Sequence, residues 1–278
     1  MFGSNARRES DGPPIFILGL QRSGTSLVSA ILNSHSRILF PGETHFLTGL
    51  LSQLKKDACL RGIESLGVSR QEAAANIRSL VLYYFERYLY RVGKSRWGDK
   101  TPNYTELAPE IYEVFGPDVR FVYVLRHGMD VVHSLQEMPW FREREDIRKL
   151  DSLDRLRYAA RIWQRVNVDF HEFVARHPEV CHTVRFEELT CRPEQTVRTL
   201  LDFLGEAWEP RILEYQTFPQ YGNKDPKLMT HDAITPNSGK YRQWPPEHQR
   251  AVYELMAADL ERFGYTVSLP DRNSTEVK

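Results

Sequence analysis

The stretch Ile15-Phe16-Ile17-Leu18-Gly19-Leu20-Gln21-Arg22-Ser23-Gly24-Thr25-Ser26 decides the fold class. Its first six residues form a short apolar run between Pro14 and a polar loop, the pattern of a strand buried on both faces. From Thr25 to Asn33 the apolar residues Leu27, Ala30 and Ile31 recur with helical period. Ile38-Leu39-Phe40 reads as a second short strand. Strand, helix and strand within the 26 residues 15–40 predict a compact βαβ unit with a right-handed, parallel crossover.

Farther along, Ser69-Arg70-Gln71-Glu72 is a capping box that opens a helix running to about Tyr90. Phe121-Val122-Tyr123-Val124-Leu125, within 119–125, is the strongest strand signal in the chain, and a helix should follow from about Asp130. Segments 95–99 and 180–186 read as further strands. Segments 152–176, 193–204 and 246–263 read as helices, the last two stopped by Gly205 and Gly264. Residues 215–244 show no period, and a loop of that length is functional or disordered. Strands alternating with helices predict an α/β chain: a P-loop-like, three-layer fold with a mainly parallel central sheet flanked by helices. The expected organisation is a flexible tail over 1–14, one domain over 15–265 and a second flexible tail over 266–278.

Composition narrows the function classes. The 278 residues carry 37 Lys plus Arg and 37 Asp plus Glu, a formal charge of zero. That balance argues against nucleic acid as the main partner and leaves room for a local basic pocket. The three cysteines (Cys59, Cys181, Cys191) are widely spaced, with no CxxC, so neither a disulfide framework nor a structural zinc site is expected. The first 14 residues lack the apolar core of a signal peptide, and no stretch approaches a membrane-spanning length. A cytoplasmic chain without a membrane segment is the expectation.

In parallel sheets, ligands bind beyond the carboxyl ends of the strands. On that edge the predicted strands place Arg22, Lys100, Arg126 and Arg185, with one carboxylate, Glu43. Such a cluster is an anion site with a candidate base. Residues 19–26 fit G-x-x-x-x-G-x-[ST] between a strand and a helix, a frame whose amides and helix N-terminus cradle an anionic group. Thr25 stands where a nucleoside triphosphatase carries the Lys that neutralises the β- and γ-phosphates, which disfavours ATP or GTP hydrolysis. Arg22 supplies a cation from another direction. The bland alternative is a strand-to-helix turn with no ligand. Arg126 is followed eight residues later by Ser134, and together they could hold a second phosphate. Alone, Arg126 reads equally well as a structural ion-pair partner.

Together these segments resemble the PAPS-dependent sulfotransferases (PAPS is 3′-phosphoadenosine 5′-phosphosulfate). Arg22-Ser23-Gly24-Thr25-Ser26 resembles their 5′-phosphosulfate loop, and Val124-Leu125-Arg126 through Ser134 resembles their 3′-phosphate motif. Glu43-Thr44-His45 and Asp99-Lys100-Thr101-Pro102 are similar to segments of the branch that includes tyrosylprotein sulfotransferases and many bacterial enzymes. The resemblance implies that Glu43 is the catalytic base and that Lys100 contacts the transferred sulfonate. His45, two residues on, is the rival base, on the same side as Glu43 if the segment is extended. Val184-Arg185-Phe186-Glu187-Glu188-Leu189 resembles the family's R-Y-E-D-L segment, with Phe186 replacing the Tyr and its hydroxyl. Ser238-Gly239-Lys240-Tyr241-Arg242 resembles the Gly-Lys-Trp-Arg segment that closes over the nucleotide.

Gln21-Arg22 stands where cytosolic small-molecule enzymes usually have a Lys, which argues for the Arg-type branch. The implied reaction needs no metal and moves a sulfonate from PAPS to an acceptor hydroxyl, with a small molecule or carbohydrate expected as acceptor. The catalytic set is then Glu43, Lys100 and Arg22, with His45 as the rival. The donor set is Arg22, Ser23, Gly24, Thr25, Ser26, Arg126, Ser134, Arg185, Ser238, Gly239 and Lys240. Trp97 and Trp163 are either adenine platforms or core residues. Competing readings are a kinase with an unusual P-loop and a non-catalytic nucleotide-binding protein. The oligomeric state is not legible.

Overall fold

A computed structural model describes residues 7–219 and 234–269. The expectations for residues 1–6, 220–233 and 270–278 lie outside the described residues. In chain order the elements are β1 (Ile15–Leu18), α1 (Thr25–Ser34), β2 (Ile38–Leu39), α2 (Phe46–Lys55), α3 (Asp57–Ser65) and α4 (Arg70–Val92). Then come β3 (Arg96–Asp99), α5 (Ala108–Phe115), β4 (Arg120–Leu125), α6 (Gly128–Gln136), α7 (Pro139–Arg142), α8 (Glu145–Arg148) and α9 (Ser152–Arg176). The chain continues through β5 (Cys181–Arg185), α10 (Phe186–Cys191), α11 (Pro193–Leu204) and α12 (Pro246–Arg262), with short 3-10 turns that include Pro102–Leu107 and Lys240–Gln243.

The strands form one five-stranded parallel sheet in the order β2-β3-β1-β4-β5. Helices cover both faces of the sheet, and β1, the central strand, is buried over all four residues. Alternation along the strands splits the core into two layers. Phe16, Leu18, Trp97, Phe121 and Tyr123 pack with α4, α5 and α9 on one side. Ile15, Ile17, Val122, Val124 and Val184 pack with α1 and α11 on the other. The architecture is the three-layer α/β arrangement that the alternating pattern predicted.

The expected βαβ unit is corrected in one respect. β1 and β2 are parallel, but β3 lies between them. Gly98 explains how β3 fits, because a Cβ there would stand 2.3 Å from the Phe40 ring and 2.7 Å from the Ile15 carbonyl oxygen. Ser69 and Glu72 form the predicted reciprocal capping box of α4. Helix α6 begins at Gly128, two residues before the position expected. Residues 7–14 are not a free tail: the Arg8 amide donates to the Glu86 carbonyl (3.1 Å) and the Asp11 amide to the Ser95 carbonyl (2.7 Å). Trp97 and Trp163 are core residues. Trp97 stacks on Phe85 at 3.9 Å, and the Trp163 indole donates to the Arg126 carbonyl at 3.2 Å. No helix among the described residues is long and apolar enough to cross a membrane.

Candidate functional site

After Leu18 the chain turns tightly beyond the sheet edge. Gly24 adopts φ 102°, and a Cβ there would stand 2.3 Å from Cδ2 of Phe186. The loop therefore lies directly on the Phe186 ring. Arg22 also takes a left-handed conformation, φ 73°, an uncommon state for a non-glycine residue. Helix α1 starts at Thr25 with no side-chain cap and no acidic residue in its first turn. Its first amides and the positive end of its dipole are thus available to an anion.

A cavity of about 460 Å³ opens beside this helix end, lined by Arg22, Gly24, Thr25, Ser26, Arg126 and Ser134 together with Phe186, Asn237 and Lys240. Arg126, only 6% exposed, donates through Nη1 to the Arg22 carbonyl (2.9 Å) and through Nη2 to the Asn237 carbonyl (2.6 Å). Its guanidinium lies over the Phe186 ring at 4.4 Å, and its Nε has no partner. Burial pulls this guanidinium below its ordinary pKa, opposed by the more distant charges of Asp130 and Glu187. Arg22 Nε donates to Ser134 Oγ at 3.0 Å, which joins the two motifs the sequence had placed 112 residues apart. Ser23 is fully buried and its hydroxyl is also without a partner. An orphaned hydroxyl, an orphaned guanidinium nitrogen and uncapped helix amides fit a phosphate- or sulfate-bearing ligand.

Lys100 leaves the end of β3, nearly buried. Its Nζ donates to Glu43 Oε1 at 2.5 Å and to Ser26 Oγ at 3.3 Å. It bridges the helix end and the only carboxylate predicted for this edge. His45 Nε2 lies 3.4 Å from Glu43 Oε2, and the His45 side chain is 64% exposed. The expected extended geometry of residues 43–45 does not hold. His45 has φ 57° and turns the chain into α2, so it reaches Glu43 around a bend.

Behind Glu43, Asp99 is fully buried and accepts from Thr44 Oγ1 (2.5 Å) and from the Tyr104 hydroxyl (3.0 Å). Desolvation pushes its carboxyl up to about 7, against the opposing hydrogen bonds. Sequence reasoning missed this tie. Its one signal was the acidic residue at the end of the short strand segment 95–99, immediately before Lys100.

The segment 238–240 is fastened from below: the Gly239 and Lys240 amides donate to Asp130 Oδ2 and Oδ1 at 2.8 and 2.7 Å. Lys240 lines the cavity, Gly239 contributes its amide to Asp130, and Ser238 is exposed outside the lining. Asp130 was also missed; it stands four residues after Arg126, in the first turn of α6. Arg185 leaves the end of β5 as expected but does not line the cavity. Its guanidinium donates to the Phe263 carbonyl at the end of α12 and lies 5.0 Å from the Tyr265 ring. Among the described residues no group of three His, Cys, Asp or Glu is placed to hold a metal ion.

The family profile described as "Sulfotransferase family" matches residues 13–210. The protein-tyrosine sulfotransferase of Drosophila melanogaster is 25% identical over 211 residues, which cover 74% of this chain and 40% of that protein. The chain spans between 26% and 57% of the length of the first three curated relatives it matches. The sulfotransferase domain of the Synechococcus PCC 7002 olefin synthase has the same fold, with a TM-score of 0.64 and 20% identity over 96% of this chain and all of that one. A mouse sulfotransferase complexed with PAP matches at a TM-score of 0.53 and 12% identity, covering 91% of this chain and 86% of that one.

Proposed function

The chain belongs to the sulfotransferase family, and from that premise we propose that it transfers a sulfonate group from PAPS to an acceptor hydroxyl. The observation that carries this reading is Lys100 Nζ, held between Ser26 at the helix end and Glu43. One cation there serves both the donor and the base.

The donor's phosphosulfate would sit on the α1 amides, with Arg22 and Ser23 around it. Its 3′-phosphate would take Arg126 and Ser134, and Lys240 would cover it. PAP, the bisphosphate left by PAPS, is bound in the mouse relative of the same fold. In the reaction the acceptor oxygen attacks sulfur and a new S–O bond forms. The bond between sulfur and the bridging phosphate oxygen breaks, its electron pair leaves with the bisphosphate, and the acceptor proton passes to Glu43. Charge grows on the bridging oxygen, where Lys100, Arg22 and fixed amides stabilise it. His45, exposed and turned against the outer oxygen of Glu43, orients that carboxylate. The acceptor is a small molecule bearing a hydroxyl.

Calorimetric titration tests the donor assignment. PAP should bind more tightly than ATP with Mg²⁺, and PAPS should yield PAP when an acceptor is present. Preference for ATP with Mg²⁺ would overturn PAPS as the donor and favour phosphoryl transfer at this site.

A further inference from the structure

A second, larger groove, about 1100 Å³, lies between α2 and α4. Pro41 and Thr44 line it, and these residues bracket Gly42-Glu43 in the chain. The groove therefore runs alongside the segment that carries the carboxylate proposed as base, although Glu43 itself is not part of its lining. Its walls are aromatic and aliphatic: Phe46 and Leu50 of α2 face Leu80 and Tyr84 of α4. Phe46 meets Tyr84 edge-on at 5.6 Å. Leu80 and Tyr84 remain 36% and 49% exposed, so part of the apolar surface is left for a ligand to cover.

The charge of the groove is one-signed. Arg87 and Arg91, one helical turn apart on α4, line it, and no Asp or Glu appears among its described lining residues. Arg87 lies against the Tyr83 ring at 5.7 Å. Arg91 makes no ion pair with a carboxylate among the described residues.

We propose that this groove is the acceptor site and that its acceptor is a small amphiphile. An aromatic or alkyl body carries the hydroxyl toward Glu43, and an anionic group on that body meets Arg87 and Arg91. The assignment as acceptor site rests on the sulfonate-transfer reading; the binding chemistry does not. A carbohydrate fits poorly, because Thr44 already donates to Asp99 and most sugar hydroxyls would face apolar walls without partners. The volume suits a drug-sized molecule.

Two naphthols separate the parts of the claim. The intact chain is titrated by fluorescence with 2-naphthol and with 6-hydroxy-2-naphthoate, without donor. The naphthoate should bind about tenfold more tightly, as a charge-assisted contact allows. Arg91→Ala should shrink that preference to about threefold by removing one of the two charged contacts. Leu80→Glu, at an exposed position, should weaken both by about fivefold or more through lost apolar burial. PAP affinity should be unchanged in both variants, which also reports that they are folded.

Equal binding of the two naphthols, indifference to both variants, or tighter binding of glucose or of an acidic tyrosine peptide would each overturn the proposal. PAP binding with no naphthol binding would sink the groove and spare sulfonate transfer. Naphthoate binding with no PAP binding would do the reverse. Where both bind, adding PAPS should give the sulfated naphthoate, and a product from glucose alone would reassign the acceptor.

Discussion

Arg126 and Ser134 stand at the two ends of one short path: the guanidinium holds the Arg22 carbonyl, and the hydroxyl receives the Arg22 side chain. If both hold the 3′-phosphate, their loss should discriminate between ligands that have it and ligands that lack it. Arg126→Ala and Ser134→Ala should each weaken PAP more than 5′-AMP, by about 1.5–3 kcal/mol for a charge-assisted contact. Equal losses for both ligands in calorimetry would return Arg126 to a purely structural role. The base is separable in the same way. Glu43→Gln keeps the shape that Lys100 meets but removes the proton acceptor, so turnover should fall about 10²–10⁴-fold with PAP affinity nearly intact. Lys100→Ala should also lower turnover, because its charge is needed most in the transition state. His45→Ala should do less; a dead His45→Ala beside an active Glu43→Gln would exchange the two roles. At this scale the sequence was most legible where chemistry and chain proximity coincide, as in residues 22–26. It gave no sign that Arg185 would donate to a carbonyl 78 residues away, at Phe263. It misled at His45, whose left-handed φ no propensity announces.

Helix α6 does two jobs. Its first turn carries Asp130, whose two oxygens receive the Gly239 and Lys240 amides, and its second turn carries Ser134. The acid is favoured there by the helix dipole, and it fixes a segment more than a hundred residues downstream over the cavity. Asp130→Ala should free the 238–240 amides. Hydrogen exchange at Gly239 and Lys240 should speed up, and PAP should weaken by about tenfold, the scale of lost charge-assisted hydrogen bonds. Unchanged exchange at those two amides would mean that other contacts hold the segment. Element boundaries marked by caps and stops were readable, with 152–176 and 193–204 matching α9 and α11 as observed. Helices α2, α3 and α5 were not read. They are short, 10, 9 and 8 residues, and α3 buries no residue fully, so no long apolar stripe marks them in the sequence. Strand order was equally hidden: β3 enters between β1 and β2 because Gly98 can pass Phe40 and Ile15, a packing fact with no local signature.

Across the whole molecule, β3 couples stability to the site. Asp99, buried at the sheet's carboxyl edge, ties Thr44 and Tyr104 together immediately behind Glu43. Its carboxyl is pushed up to about 7 from an ordinary value of 3.8, first by desolvation, with hydrogen bonds from Thr44, Tyr104 and the Lys100 amide opposing. Between those two values the folded chain holds a proton that the unfolded chain has released. Stability must then fall as pH rises through the window: this contribution is complete below about 3.8 and lost once pH passes about 7. Asp99→Asn keeps an acceptor for Thr44 and Tyr104 but carries no charge at any pH. The wild-type midpoint should therefore drop relative to that of Asp99→Asn between about pH 4 and pH 7 and run level with it above that. Other titrating groups cancel in the difference between the two chains, provided the variant leaves their surroundings intact. Thermal denaturation of both proteins across the range checks this, and parallel curves would show that the buried carboxyl stays ionised throughout. The same charge acts on the reaction. An ionised Asp99 accepts more strongly from Thr44 and Tyr104 and so holds the Glu43 loop most firmly at the pH where Asp99 itself is most costly to bury. The carboxylate that orders the proposed base thus lowers the stability of the fold that carries it.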